Sequence, residues 1–511
     1  MKRQRGIISL FYTACILLFE VLYFDNAYFN IMEAKANMLK LISVVFFMLF
    51  LVIFFISAAK DEQAGLGVKR FCKSFGMTEK AVIAFACVSI VSSVFSGNFE
   101  AAVSGDRGWG GGAWMYLTLA ALCIIVSRSL SFGTAPKLIF LFGGFATFIW
   151  SLLNVCGADL FGMHEGIYGG KTAAMAYLAG IGNSNSMAGY VSMLLPAAMI
   201  LFTASKKRVW KCVYAAFVFL GFACAVTANC DGVYIGMAAA VFCTVFYSLG
   251  KTERLFALPQ LGAALSGAVC FVKLLRRLVG TEKFVELTGI SARVCSMNMF
   301  PVLFVLFAFV CIALYVFEKK NILSRVPDIK KLSRPLRISL CVFFAAASIA
   351  SVAVSARSFD DSWGSYRGYI WRRSLEMFSE LGFGRQLFGV GPDCFGIMFS
   401  ADPNASIPGA IVLNAHNEWI QYLVTTGFIG VAAYAFFIFA PAYDALHVKK
   451  KISASSAAML ASIAGYAAQA VVNNPQPLCL SILFLLISFY ISGGESADPD
   501  IGSAADILKI S

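Results

Sequence analysis

The chain has 511 residues, 59% of them apolar, and a formal net charge of +13, a composition that excludes a soluble globular core. Its repeated apolar runs are of membrane-spanning length, so chain length counts spans rather than domains. The excess Lys and Arg collects in short loops between those runs, which speaks for orientation in a bilayer and against nucleic acid as a partner.

Met1-Lys2-Arg3-Gln4-Arg5 followed by an apolar run resembles a signal peptide, but Glu20 and the bulky Leu22-Tyr23-Phe24 leave no small-residue cleavage site, so a retained first span is expected. At roughly 16 to 22 residues per crossing, spans are expected near 7–24, 38–58, 81–96, 113–128, 138–156, 186–203, 209–228, 232–249, 255–272, 299–317, 338–355, 420–441, 455–472 and 476–493. This is an all-α polytopic membrane fold of about 14 transmembrane helices. With Lys2, Arg3 and Arg5 in the cytoplasm, alternation puts Lys69-Arg70, Lys206-Lys207-Arg208, Lys251 with Arg254, the run from Lys319 to Arg337, and Lys449-Lys450-Lys451 on the same side. The chain then divides into an N-terminal bundle over 1–355 (about 11 spans), an extracytoplasmic loop over 356–418, C-terminal helices over 419–493 (about 3 spans) and a cytoplasmic tail over 494–511. Both termini are expected in the cytoplasm. Cys15, Cys87, Cys123, Cys212, Cys243 and Cys311 fall mostly inside apolar runs without a C-x-x-C pair and read as small core residues.

Two outer loops carry turn chemistry. Ser104-Gly-Asp-Arg107-Gly-Trp-Gly-Gly-Gly112 is too rich in glycine for helix and brings an arginine to the surface. Gly180-Ile-Gly182-Asn183-Ser184-Asn185-Ser186 precedes a span, where Asn and Ser suit helix capping. Lys273, Arg276, Arg277, Lys283 and Arg293 sit in a loop assigned to the outside, against the usual bias and offset only by Glu282 and Glu286. Either this loop binds an anion, or the span at 255–272, weakened by Pro259 and two glycines, is re-entrant.

The loop from Ala356 to Glu418 concentrates charged and aromatic residues. Within it, Arg367, Trp371, Leu375 and Phe378 recur at helical spacing, predicting an amphipathic helix over Tyr366–Leu381 stopped by Gly382. Arg372 and Glu376 pair at i,i+4 on its solvent face. Phe388-Gly389-Val390-Gly391-Pro392-Asp393 predicts a tight turn, and Asp402-Pro403 and Pro408-Gly409 keep the chain irregular up to Asn414. His416 then lies just before the span beginning near Ile420, where the positive helix end disfavours imidazolium and leaves a neutral base. Asn417 and Gln421 share a helix face beside it; a helix-capping or anchoring role for His416 is the other reading. Arg367, Arg293 and Arg107 offer guanidinium forks that match phosphate oxygens, and no redox cofactor is called for. Asp360-Asp361 and Asp393 lack His/Asp ligand spacing, and of the three histidines His164 lies in an outer loop without partners and His447 in a basic cytoplasmic loop, so no metal is expected.

Arg367-(x)3-Trp371, the Phe388-Gly-Val-Gly391 turn and His416-Asn417-Glu-Trp-Ile-Gln421-Tyr-Leu-(x)3-Gly427-Phe-Ile-Gly430 together resemble the signature region of the O-antigen ligase and polymerase superfamily. Gly182-Asn183-Ser-Asn185-Ser-Met-Ala188-Gly-Tyr190 resembles its upstream element, and Asn473-Asn474-Pro475 its late outer turn, so the likeness covers roughly residues 180 to 490. The resemblance implies a metal-independent glycosyltransferase of the cytoplasmic membrane, moving a glycan from a polyprenyl-pyrophosphate donor to the hydroxyl of a glycan, lipid or wall-polymer acceptor on the outer side. It also implies His416 as the base and Arg367 as a pyrophosphate ligand. Thr227-Ala-Asn229-Cys230-Asp231-Gly232 departs from the Ser-Arg pair of that superfamily, which leaves Arg293 as a substitute second arginine. Two other classes are weighed. An exporter of polysaccharide or lipid-linked sugar would carry charges inside its spans, where Glu20 is the clearest here, and a metal-dependent protein oligosaccharyltransferase would carry an acidic ligand cluster.

Overall fold

The computed structural model describes residues 2–59, 74–106, 110–165, 177–322, 330–405, 407, 411–447 and 452–493. The helices run α1 (Lys2–Ala14), α2 (Ile31–Ala59), α3 (Met77–Val94), α4 (Phe99–Ser104), α5 (Ala113–Ser127), α6 (Thr134–Val155), α7 (Ser184–Ala204), α8 (Arg208–Thr227), α9 (Gly232–Ser248) and α10 (Thr252–Leu255). They continue as α11 (Leu258–Val279), α12 (Gly289–Ser296), α13 (Met299–Lys319), α14 (Lys330–Arg357), α15 (Trp363–Glu380), α16 (Phe383–Phe388), α17 (Phe395–Ala401), α18 (Glu418–His447), α19 (Ala454–Gln469) and α20 (Pro477–Ile491). A two-residue antiparallel pairing of β1 (Tyr177–Leu178) with β2 (Gly182–Asn183) precedes α7, with Tyr177 opposite Asn183.

Among the described residues, 10 helical stretches are long and apolar enough to cross a membrane, and α5, α9 and α20 are shorter apolar helices. Thirteen of the predicted spans fall on these helices, and the first, 7–24, lies over α1 and the π-helical stretch Cys15–Glu20 that continues it. The stretch predicted as either a span or a re-entrant segment is the 22-residue α11, about 33 Å at 1.5 Å per residue and so long enough to cross a bilayer core. Helix α2 begins at Ile31, earlier than its apolar run. There Lys35 is buried, and its ammonium donates to the carbonyls of Glu20, Val21 and Tyr23 at the end of the π-helical stretch that continues α1, so a charge that delays an apolar run serves here as a C-terminal cap.

Helix α7 is the axis of the bundle, almost wholly buried and packed by α8, α9 and α19. Gly236 and Gly465 both face Ser192, and small residues at such crossings let backbones approach closely where lipid removes the usual hydrophobic drive. Among the described residues, helices α13 and α14 have no buried ones; α13 rests on α11 and α14 on α9. The region after α14 folds around its own small core of Ile370, Met377, Phe378, Val390, Phe395 and Phe399, which also takes in Ala102 and Val424. Its chain is therefore more ordered than predicted, with α17 formed inside the stretch expected to be irregular and α16 between the amphipathic helix and the predicted turn.

Candidate functional site

Helix α15 turns regular only at Arg367, because Gly364, Ser365 and Tyr366 all take left-handed φ between 60° and 68°. Such a run costs about 1–3 kcal/mol per non-glycine residue and persists only where packing imposes it. Arg367 is thereby placed at the start of a helix rather than along its side. Its Nη1 donates to Gly364 O at 3.0 Å, while its Nε is buried without a partner.

His416 approaches from the other end of the loop. It too is left-handed, at φ +48°, and three contacts fix the backbone around it. Its N–H donates to Asn414 Oδ1 at 3.1 Å, the N–H of Ala415 donates to Gln421 Oε1 at 2.8 Å, and Trp371 Nε1 donates to Ala415 O at 2.9 Å. Trp371 lies one turn beyond Arg367 on the same helix, so this last bond ties the histidine loop to the arginine helix. The imidazole Nδ1 is buried with no hydrogen-bond partner. Burial, and after it the nearby Arg367 charge, push the imidazole down to about 4, so the ring is neutral across the physiological range.

The helix that carries this loop is broken to make room for a second strut. In α18, Gly427 is non-helical at φ +72°, which frees the carbonyls of the preceding turn from their helical partners. Val390 N–H donates to Val424 O at 3.1 Å and Gly391 N–H to Thr425 O at 2.9 Å, while Ser92 Oγ donates to the same Thr425 carbonyl at 2.8 Å. The Phe388–Gly391 turn thus plugs a kink in the membrane helix. A β-carbon on Gly389 would run into the Thr425 carbonyl, and one on Gly427 into that of Leu387.

The other predicted residues divide clearly. Asn417 caps α18, accepting from Trp419 N at 2.9 Å and Ile420 N at 3.2 Å, and Gln421 is occupied by Ala415, so both hold the histidine loop rather than offer free amide oxygens. Arg293, on α12, is exposed, and no hydrogen bond or ion pair of the described residues joins it to His416 or Arg367. Arg107 lies outside the described residues. The loop around it is nevertheless anchored beside the site, since Asp106 N and Gly111 N both donate to Asp393 Oδ2 at 2.8 and 3.0 Å. Burial is the main cause that raises the Asp393 carboxyl, to about 7, and those two amides pull the other way. His164 is not without partners: it contacts Tyr177 O and Asp159 and packs at a tilt against the Tyr28 ring.

Several residues that the pattern alone left unassigned converge here. Glu418 is fully buried, with both oxygens accepting 2.5 Å hydrogen bonds, from Tyr434 and Tyr466, and so pins the start of α18 to α19. Cys230 donates to Asn185 Oδ1, Asn473 Nδ2 donates to Asn185 O at 2.8 Å, and the Arg367 charge acts on the Cys230 thiol, which burial raises. The three segments singled out by resemblance, around Asn185, Cys230 and Asn473, therefore meet next to Arg367. At the place of the expected Ser-Arg pair, Asn229 and Asp231 do different work, holding residues 286–290 through Thr288 N, Ile290 N and Glu286 O.

Residues 232–435 match the family described as O-antigen ligase, a segment that includes both Arg367 and His416. No curated protein matches the chain.

Proposed function

We propose that this multi-pass membrane protein, which carries the O-antigen ligase domain of that superfamily over residues 232–435, transfers a glycan from a polyprenyl-pyrophosphate donor to an acceptor hydroxyl at the outer face of the cytoplasmic membrane. The observation that supports it most is a pair of buried, unpartnered nitrogens, Arg367 Nε and His416 Nδ1, on residues close enough for the Arg367 charge to act on the imidazole, at the junction of the loop and the apolar bundle. Unsatisfied buried donors and acceptors are costly and are retained where a ligand completes them.

In this reading the neutral His416 accepts the proton of the acceptor hydroxyl as its oxygen bonds to the anomeric carbon. The bond from that carbon to the pyrophosphate oxygen breaks, and the departing pyrophosphate keeps the electron pair. Arg367 receives the negative charge through its free Nε–H, a fork suited to phosphate oxygens. Bound pyrophosphate offsets the Arg367 charge and so raises the basicity of His416 when a base is needed. Asn414, Gln421 and Trp371 keep the imidazole in place without touching substrate.

His416→Ala is expected to insert and fold normally and to lose transfer from a defined polyprenyl-pyrophosphate donor by about 10²- to 10⁴-fold, the range of general-base catalysis. Undiminished transfer by that variant sinks the assignment.

A further inference from the structure

The basic segment that breaks the positive-inside pattern forms a cleft away from His416. Lys273, Arg276 and Arg277 at the end of α11 face Thr281, Ser296 and Asn298 across a cavity of about 390 Å³. Lys273 Nζ donates to Met297 O at 2.5 Å, which ties the end of α12 to α11 and holds the walls together. Among the described residues, neither the Arg276 nor the Arg277 guanidinium has a carboxylate or hydrogen-bond partner. The cleft opens on the same end of the bundle as the candidate site, because Asn229 and Asp231 hold residues 286–290 beside Cys230.

Cations in the last turn of a helix also complement its dipole, but that dipole end amounts to about half a charge, against three full cations here. The excess positive charge calls for an anion. The cleft lies at the end of α11, a helix long enough to cross a bilayer, so its cations stand at the level of lipid headgroups. The phosphate of a lipid is held at that level by its acyl chains, whereas a free anion is drawn from solution.

We infer that this cleft binds the phosphate of an anionic membrane lipid whose acyl chains lie in the bilayer beside α11. It is a site separate from glycan transfer, and its test does not depend on the transfer reading.

The test is native mass spectrometry of the full-length protein in detergent, titrated with phosphatidylglycerol or phosphatidylcholine. Wild type is expected to retain phosphatidylglycerol in preference to phosphatidylcholine, and R276Q and R277Q each to lower that retention about fivefold, the effect of one cation at an anionic lipid surface. K207Q/R208Q, which removes exposed cations near the start of α8, retains it as wild type does. Equal retention by wild type and an R276Q/R277Q variant overturns the inference, as does equal binding of the two lipids. Displacement of the lipid by an equal concentration of soluble glycerol phosphate overturns the lipid assignment in favour of a free anion. If the double variant does not survive purification, the two single variants carry the same outcomes.

Discussion

Helix α15 carries arginines of two kinds within two turns. Arg372 is saturated: Asp361 takes its Nε and Nη2 at 2.9 and 2.7 Å, and Glu376 takes its Nη1 at 2.7 Å. Arg373 is equally engaged, by Asp402 and Glu376. Arg367 keeps a buried Nε with no partner and faces His416 instead of a carboxylate. Same residue type, same helix, yet the first two close a surface network while the third leaves a cation directed into the protein. A buried donor left unmade costs about 1–3 kcal/mol, so retaining one argues for a ligand in a way that position on the helix does not.

The comparison is broken most directly at Arg367. Arg367→Ala is expected to reduce transfer by about 10- to 150-fold, corresponding to about 1.5–3 kcal/mol for a hydrogen bond to a charged group. Arg367→Lys should restore little, because a point charge does not reproduce the fork. Donor use indistinguishable from wild type would remove Arg367 from the site. A finer cut comes from pH. Since His416 lies at about 4 against its ordinary 6.5, kcat/KM should hold level as pH falls from 8 and decline only near 4. The kcat profile should decline at higher pH, because donor pyrophosphate offsets Arg367. In Arg367→Gln the kcat/KM limb should move up, and a limb that stays in place contradicts the coupling. The same shift has a stability sign. Between pH 6.5 and about 4 the unfolded chain binds a proton that folded His416 refuses, so stability falls as pH falls through that window. Asp393, raised from 3.8 to about 7, acts oppositely, losing stability as pH rises from 3.8 to 7. Thermal midpoints of His416→Gln and Asp393→Asn across pH 4 to 7 separate the two contributions.

Much of this was legible in the sequence, for a physical reason. Lipid forces backbone polar groups into helices and their flanks into apolar runs, so spans announce themselves residue by residue. His416 and Arg367 also stood out, being a lone histidine at a helix start and an arginine leading an apolar stripe, and the fold does bring them together. What the pattern does not record is partnership. Arg293 resembled Arg367 as a cation in an outer loop, but among the described residues no hydrogen bond or ion pair joins it to Arg367 or His416. Asn417 and Gln421 were legible as neighbours of His416 but not as its supports, because their role lies in backbone N–H groups that only the folded loop presents. Glu418 offered no signal, since a glutamate in a first helical turn is ordinarily solvated and only the packing of α19 brings Tyr466 to it. The kink at Gly427 is equally hidden, for a glycine within an apolar run reads as simply small.

That kink sharpens the comparison between a strut and a bystander. Gly427→Ala combines a left-handed φ with a collision against the Leu387 carbonyl and should lower stability by about 1–3 kcal/mol. Gly280→Ala has a similar φ of +84° but open space around it, so it should cost only about 1 kcal/mol. Equal thermal shifts in the two variants would mean that the plugged turn does not support α18.

The smallest expected effect is the one that most constrains the argument. Arg372→Ala removes a fully paired guanidinium of the helix, yet Asp361, Glu376 and Arg372 are all exposed, where water replaces each lost contact at little cost. Transfer should stay within about twofold of wild type, as is usual for an exposed ion pair. Glu376 keeps Arg373, and the Trp371 bond to Ala415 that holds His416 is untouched. A loss as large as that of Arg367→Ala would mean that the surface network itself sets the position of α15. The unpartnered Nε of Arg367 would then be a consequence of that network rather than a place kept open for substrate.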